Sequence, residues 1–201
     1  MQACRLAAHQ LACRRGDRLL LQGLDFALHE GEALHVAGPN GIGKSSLIRL
    51  LAGLLSPFAG TVDRHGALAL ADERAALDPQ QPLGEALGFW AALDAAPEIR
   101  RTAAAATLGL AELLAVPVRY LSTGQRKRAV LGRVVASGAP IWLLDEPLNG
   151  LDAAACSAVE RMVADHCDRG GIAVIASHQA LAIAGLRRLD LDRHVPADAA
   201  E

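Results

Sequence analysis

A glycine-rich loop between an apolar strand and a helix constrains this sequence more than any other feature. The loop reads Gly38-Pro39-Asn40-Gly41-Ile42-Gly43-Lys44-Ser45. Residues 33 to 37 precede it as a short apolar strand, and residues 45 to 52 follow it as a helix. In this strand, loop and helix context, the pattern G-x-x-x-x-G-K-[ST] is typical of loops that bind the phosphates of a nucleotide. It therefore predicts an α/β fold built around a nucleoside triphosphate.

Each residue type in the loop has a chemical reason. Because glycine has no Cβ, the backbone can turn successive N–H groups inward and form a nest for an anion. The Lys44 ammonium can reach the β- and γ-phosphates, and the Ser45 hydroxyl can ligate Mg²⁺. The helix that follows directs the positive end of its dipole at the phosphates. We expect residues 38 to 46, including Ser46, to bind ATP or GTP.

Composition and charge limit the class of protein. A chain of 201 residues is long enough for one domain, or one domain with a subdomain, and its 52% hydrophobic content can build a core. The net charge of −2 gives no overall reason to expect nucleic acid as a partner. The first residues lack the apolar run of a signal peptide, which predicts a cytosolic chain.

An uncharged stretch of about 17 residues, from Gly170 to Leu186, is close to the lower limit for a membrane span. Because Ser177-His178-Gln179 interrupts it, we interpret it as a buried strand followed by a short helix. The four cysteines show no C-x-x-C spacing, and we expect them to be buried apolar residues rather than metal ligands.

The order of patterns along the chain predicts the domain organisation. Residues 5 to 28 alternate as two antiparallel strands, residues 66 to 71 form another short strand, and residues 72 to 137 have helical periodicity. Two apolar strands, near 141 to 144 and 171 to 176, flank a helix from 153 to 168, as in a parallel α/β sheet. We expect one domain over 1–201, with a nucleotide-binding core (1–71 and 138–201) and a helical subdomain (72–137).

Two carboxylates follow the strand at 141 to 144, at the edge where open α/β sheets hold their ligands. Asp145 can hold Mg²⁺, directly or through water. Glu146 can orient the water that attacks the γ-phosphate, or accept its proton. The alternative is that Asp145 and Glu146 cap the helix near Ala153.

Three further segments identify a family: Leu121-Ser122-Thr123-Gly124-Gln125 before a basic helix, Leu151-Asp152, and His178 at the end of the last apolar strand. Together with the loop and the Asp-Glu pair, they resemble the ATP-binding cassette (ABC) ATPases. The resemblance implies a P-loop NTPase fold with an antiparallel β subdomain and a helical insertion.

The same resemblance implies a site shared between two chains. ATP would lie between the 38–45 loop of one copy and the signature segment of another, where Ser122, Gly124 and Gln125 would contact it. The Ser122 hydroxyl, the Gly124 N–H and the helix that follows suit an anion on physical grounds as well. His178 would bond the γ-phosphate and keep the attacking water in place.

Several positions depart from the family pattern. Thr123 stands where most members have glycine, and a β-branched residue resists positive φ there. No glutamine lies between residues 70 and 77, so Glu73 is the candidate oxygen ligand for Mg²⁺, with Gln80 and Gln81 as weaker ones. The usual aromatic residue that stacks on adenine is missing near Arg14-Arg15-Gly16, where an arginine plane could replace it.

The chain is most similar to the ATPase subunits of cytochrome c maturation systems, which are haem-transporting ABC ATPases. That resemblance implies a membrane permease partner, a place at the cytoplasmic face of a bacterial inner membrane, a homodimer in the ATP-bound state, and an indirect link to a haem chaperone. The alternatives are another small ABC transporter ATPase, a soluble ABC protein that acts on ribosomes or DNA, and a nucleotide-sensing module without turnover.

Overall fold

The computed structural model describes residues 4–72 and 76–196. The strands of these residues are β1 (Arg5–Arg15), β2 (Arg18–His29), β3 (Ala33–Ala37), β4 (Ala59–His65), β5 (Leu68–Ala71), β6 (Ile141–Asp145), β7 (Ile172–Ser177) and β8 (Arg187–Asp190). The α-helices are α1 (Lys44–Ala52), α2 (Leu83–Leu93), α3 (Glu98–Thr107), α4 (Thr123–Ser137) and α5 (Ala153–Asp168). Short 3-10 turns occupy Ala111–Leu113, Val118–Tyr120 and Leu191–His194.

The strands form two sheets. One is antiparallel, with the order β2-β1-β4, and contains the hairpin that the sequence predicts. The other has the order β5-β6-β7-β3-β8, and all of its neighbouring strands are parallel. Because β3, β6 and β7 lie side by side, the residues that follow each of them meet at one edge of the sheet.

Two hydrophobic cores cover the faces of the parallel sheet. Leu143 faces one core, with β1, β2 and α1, whereas Trp142 and Leu144 face the other, with α2 to α5. This alternation follows the period of two in a strand. Cys4, Cys13 and Cys167 lie buried as the sequence predicts, but Cys156 is only half-buried.

The fold class predicted from the sequence is confirmed. The structure is mixed α/β with both kinds of sheet, and α2, α3 and α4 form the helical insertion between β5 and β6. None of the helices in the described residues combines the length and the apolarity needed to cross a lipid bilayer.

One expectation about the last quarter of the chain is wrong. Residues 178 to 186 form no helix, because the Glu160 carboxylate accepts a hydrogen bond from the Ala182 N–H (2.7 Å) and Gly185 turns the chain at φ 69°. The chain then adds β8 to the edge of the sheet beside β3. Strands β4 and β8, which the sequence analysis did not predict, are edge strands rich in polar residues.

Candidate active site

The glycine-rich loop has the backbone of an anion nest. Gly38, Gly41 and Gly43 have φ values of 154°, 84° and 116°, which residues with a side chain rarely adopt. A Cβ on Gly38 would also lie 3.0 Å from Cγ2 of Ile42. Helix α1 begins at Lys44, so the first N–H groups of α1 have no partner within the helix and face the loop. The loop therefore fits a phosphate chain.

Lys44 lies under the loop and is held by its own chain. Its Nζ donates to the Gly38 and Pro39 carbonyls (2.8 and 3.1 Å) and approaches Asn40 Oδ1 at 3.5 Å. It also lies 3.2 Å from Glu146 Oε1, in an ion pair whose side chains are only 5% and 8% exposed. The cation is thus placed where phosphate oxygens can replace its present partners.

Glu146 follows β6 in an unusual backbone conformation. Its φ is 47°, in the left-handed region, and its N–H donates to the Ala176 carbonyl (2.8 Å). Non-glycine residues rarely adopt this region, and those that do are concentrated at functional sites. The preceding residue, Asp145, ends β6 and is buried.

His178 completes a group of three side chains. Its Nδ1 lies 3.0 Å from Glu146 Oε2, while the other carboxylate oxygen of Glu146 contacts Lys44. The His178 side chain is 38% exposed, so one side of the imidazole remains open to a ligand. Residues that follow β3, β6 and β7 therefore meet as a cation, a carboxylate and an imidazole.

Two serines follow Lys44 on α1, and both are half-buried. The Ser46 side chain forms a hydrogen bond with the thiol of Cys13, whose pKa is raised by burial. Ser45 and Asp145 offer a hydroxyl and a carboxylate, the hard oxygen donors that Mg²⁺ takes beside nucleotide phosphates. Within the described residues no group of three His, Cys, Asp or Glu could hold a metal alone. The donor set thus fits Mg²⁺ shared with a nucleotide, and Glu73, the further candidate, lies outside the described residues.

The signature segment is organised as the start of a helix. Ser122 is the N-cap of α4: its hydroxyl accepts from the Gln125 N–H (3.2 Å), and its own N–H donates to Gln125 Oε1 (2.8 Å). The sequence analysis placed Thr123, Gly124 and Gln125 before the helix, whereas the structure places them in its first turn. Thr123 therefore has ordinary helical geometry and needs no positive φ.

The signature segment lies beside the 150–152 loop of its own chain. A Cβ on Gly124 would be 3.2 Å from the Gly150 carbonyl oxygen, and one on Gly150 would be 3.6 Å from Thr123 Cγ2. Among the described residues, no hydrogen bond joins Ser122, Gly124 or Gln125 to the 38–45 loop. The predicted site residues thus fall into two separate groups within one chain.

The alternative role for the Asp-Glu pair is wrong. Helix α5 is capped by Asp152, whose carboxylate accepts from the Ala155 N–H at 2.8 Å. Glu146 is engaged with Lys44 and His178 instead.

The basic residues of α4 bond to backbone carbonyls. Arg126, Lys127 and Arg128 donate to the carbonyls of Leu121, Asp145 and Leu108. Arg133 donates to the Leu70 carbonyl, and its guanidinium carbon lies 4.3 Å from the Trp90 ring centroid. These contacts tie α4 to nearby loops.

Two features of the site were missed by the sequence analysis. The Lys44–Glu146 ion pair joins residues about 100 positions apart, and no local pattern signals it. His35 does have a local signal, since it is a lone polar residue in the apolar strand β3. The guanidinium of Arg14, a residue that the sequence offers for stacking on adenine, lies 4.9 Å from the Phe58 ring centroid.

Comparison with known proteins agrees with this geometry. A family model described as ABC transporter matches residues 21–149. The cytochrome c biogenesis ATP-binding export protein CcmA of Novosphingobium aromaticivorans is 58% identical over 198 residues, covering 98% of this chain and 100% of that protein. The CcmA protein of Zymomonas mobilis is 52% identical over 191 residues, covering 95% of this chain and 86% of its own length.

A solved structure shows the same fold. A protein of Pyrococcus furiosus, assigned to the ABC transporter ATP-binding proteins, aligns with a TM-score of 0.84 at 20% identity, covering 96% of this chain and 100% of that one. The family model and the full-length relatives together lead to one conclusion: the chain belongs to the ABC transporter family, in the group of cytochrome c biogenesis ATP-binding export proteins.

Proposed function

We propose that this chain is the ATP-hydrolysing subunit of an export complex that serves c-type cytochrome biogenesis. The observation that carries the proposal is the meeting of Lys44, Glu146 and His178 beside an anion nest. The full-length relatives, whose names describe ATP-binding export proteins of cytochrome c biogenesis, support the pathway.

Binding of ATP begins with an exchange at Lys44. The N–H groups of the loop and of the first turn of α1 receive the phosphates, and the ammonium exchanges Glu146 and the loop carbonyls for phosphate oxygens. Mg²⁺, held by Ser45 and Asp145, would supply the charge that neutralises the phosphates. Because its ion pair with Lys44 is then broken, the Glu146 carboxylate becomes available to water.

Hydrolysis then depends on Glu146 and His178. The Glu146 carboxylate orients the attacking water and accepts its proton, while the His178 imidazole holds Glu146 on one side and bonds the γ-phosphate on the other. The 3.0 Å contact between His178 and Glu146 places the two groups for these roles.

The signature segment supplies the reason for a dimer. Ser122 and Gly124 stand at the N-terminus of a 15-residue helix, which suits an anion, but no hydrogen bond among the described residues joins them to the 38–45 loop of their own chain. We infer that they close over the ATP of a second copy. The Ser122 oxygen accepts from Gln125, so its O–H proton stays available to a phosphate oxygen.

The complex that we propose includes an integral-membrane permease and works at the cytoplasmic face of a bacterial inner membrane. Its work would be haem export or the release of a haem-loaded chaperone, with the haem and the chaperone contacting other subunits. Nucleic acid is not a proposed partner, since the chain carries a net charge of −2 and the basic residues of α4 bond to carbonyls.

Comparing ATP hydrolysis by the native chain and by Glu146→Gln tests the enzymatic part. We expect turnover by the native chain and a loss of roughly 1,000-fold in the variant, within the range for removal of a general base. Equal and negligible rates would indicate a nucleotide-sensing module. Capture of the tagged chain from solubilised membranes tests the partner: a permease supports the proposal, and recovery of ribosomes without a permease contradicts it.

A further inference from the structure

His35 is a buried polar residue that the proposed mechanism has not used. It lies in the middle of β3 and is 4% exposed, and its neighbours in the strand are buried aliphatic residues. A polar side chain in such a position needs a hydrogen-bond partner, because burial without one is unfavourable.

The partner of His35 is the carbonyl of the residue before His178. Nε2 of His35 lies 3.0 Å from the Ser177 oxygen. Since a carbonyl only accepts, Nε2 carries a proton and donates it to the hydrogen bond. Burial lowers the pKa of His35, which favours the neutral imidazole.

The Ser177 side chain holds the residue on the other side of His178. Ser177 is fully buried and ends β7, and its hydroxyl accepts from the Gln179 N–H at 3.0 Å. His178 therefore leaves the sheet between two fixed points, one of which is the carbonyl that His35 holds. From there its imidazole reaches Glu146.

We propose that His35 is a positioning residue for ATP hydrolysis, which fixes the direction of His178 by holding the Ser177 carbonyl. The inference rests on the proposed roles of His178 and Glu146. His35 is buried within the sheet, and it acts through the backbone between β7 and His178. An apolar residue at position 35 would fill the space but leave the carbonyl unheld, whereas glutamine could still donate to it.

The chain offers a matched control in His166. This histidine is also buried, and its Nε2 lies 3.2 and 3.3 Å from the carbonyls of Pro140 and Ile172. Its ring stacks on Trp142 at a centroid distance of 3.7 Å. Ile172 begins β7, so His166 holds the end of the strand opposite to the one that carries His178.

The test measures kcat and KM for ATP with the full chain copurified with its membrane partner. We expect His35→Leu to lower kcat about tenfold and to change KM less than about twofold, as for loss of alignment without loss of binding. His35→Gln should recover kcat to within about threefold of the native value, since its amide can donate to Ser177. His166→Leu should leave kcat within about twofold, because its contacts do not reach His178.

A double-variant comparison separates positioning from a general loss of stability. In the His178→Ala background, His35→Leu should lower kcat no further, because residues that act through one another are not additive. If His35→Leu does not fold, His35→Asn replaces it, since its shorter amide should not reach the Ser177 oxygen and should show the same loss.

Three results would overturn the inference: unchanged kcat in His35→Leu and His35→Asn, an equal loss in His166→Leu, or the full tenfold loss on top of His178→Ala. A native complex that does not hydrolyse ATP would instead contradict the proposed function. Suppose that the native complex hydrolyses ATP and that His178→Ala lowers kcat. If the losses of kcat in His35→Leu and His178→Ala then add in the double variant, only the role of His35 is rejected.

Discussion

The two segments of this chain that suit a phosphate differ in how their own chain completes them. The glycine-rich loop is engaged from several sides: Lys44 is held by two loop carbonyls and by Glu146, which His178 holds in turn. The signature segment lies beside residues 150–152, and within it Ser122 and Gln125 form hydrogen bonds with each other as a capping box. The residues that we propose for hydrolysis thus contact one another within one chain, whereas we propose that the signature segment faces the ATP of a second copy.

The contrast has an energetic consequence. A buried carboxylate paired with a buried ammonium loses its partner only when another anion replaces it. In the proposed mechanism, binding of nucleotide phosphate at Lys44 releases Glu146 for catalysis, and this release would link binding to activation. The capping box, by contrast, can stay intact when a phosphate arrives, since the first N–H groups of α4 remain available.

The largest expected effect is at Lys44. Lys44→Ala should weaken ATP binding by about 100-fold or more, because it removes charge-assisted bonds to the phosphates and leaves the Glu146 carboxylate beside them without its lysine partner. Equilibrium binding of a fluorescent ATP analogue measures the change. Arg49→Ala, which removes another cation of α1, is the matched control and should bind as the native chain does. Native-like binding by Lys44→Ala would contradict the proposal that the 38–45 loop binds ATP.

An intermediate effect is expected at Ser122. Aspartate caps helices as well as serine does, so Ser122→Asp should unfold within about 0.5 kcal/mol of the native chain. The new negative charge should nevertheless lower ATP hydrolysis more than about tenfold, because it repels the phosphates of the partner copy. Binding of ATP to the isolated chain should not change. If Ser122→Asp weakens ATP binding to the monomer, the signature segment contacts the ATP of its own chain.

The smallest effect is expected at Thr123. Because this residue has helical geometry in the first turn of α4, glycine there gains no conformation that the site needs. Thr123→Gly should leave ATP hydrolysis within about twofold and lower the free energy of unfolding by less than about 0.5 kcal/mol. A large gain in turnover, measured by phosphate release, would instead indicate that threonine weakens the signature.

The parts that sequence predicts well are those with local causes. Such local causes explain the glycines at 38, 41 and 43, the apolar runs of β6 and β7, and the helix from 153 to 168. Strand β4 was missed because it is an exposed edge strand, whose polar residues carry no pattern of burial. The false helix after β7 arose because its apolar composition is compatible with a loop held by Glu160 and with a turn at Gly185.

The candidate site shows the same division. The residue types at 44, 145, 146 and 178 can be predicted from motifs, but their mutual contacts depend on the order of strands β6, β7 and β3 in the sheet. The left-handed conformation of Glu146 and the hydrogen bond from His35 to Ser177 are products of tertiary packing. Neither has a cause within a few residues along the chain.

The mass of Glu146→Gln in saturating Mg-ATP tests the central claim, that each site needs two copies. With hydrolysis blocked and Lys44 intact, the account predicts a species of twice 21.0 kDa in sedimentation equilibrium, which dissociates when ATP is removed. Adding Ser122→Asp to Glu146→Gln should return the chain to 21.0 kDa while ATP stays bound. A Glu146→Gln chain that binds ATP and yet remains monomeric, alone and with its membrane partner, would contradict the account.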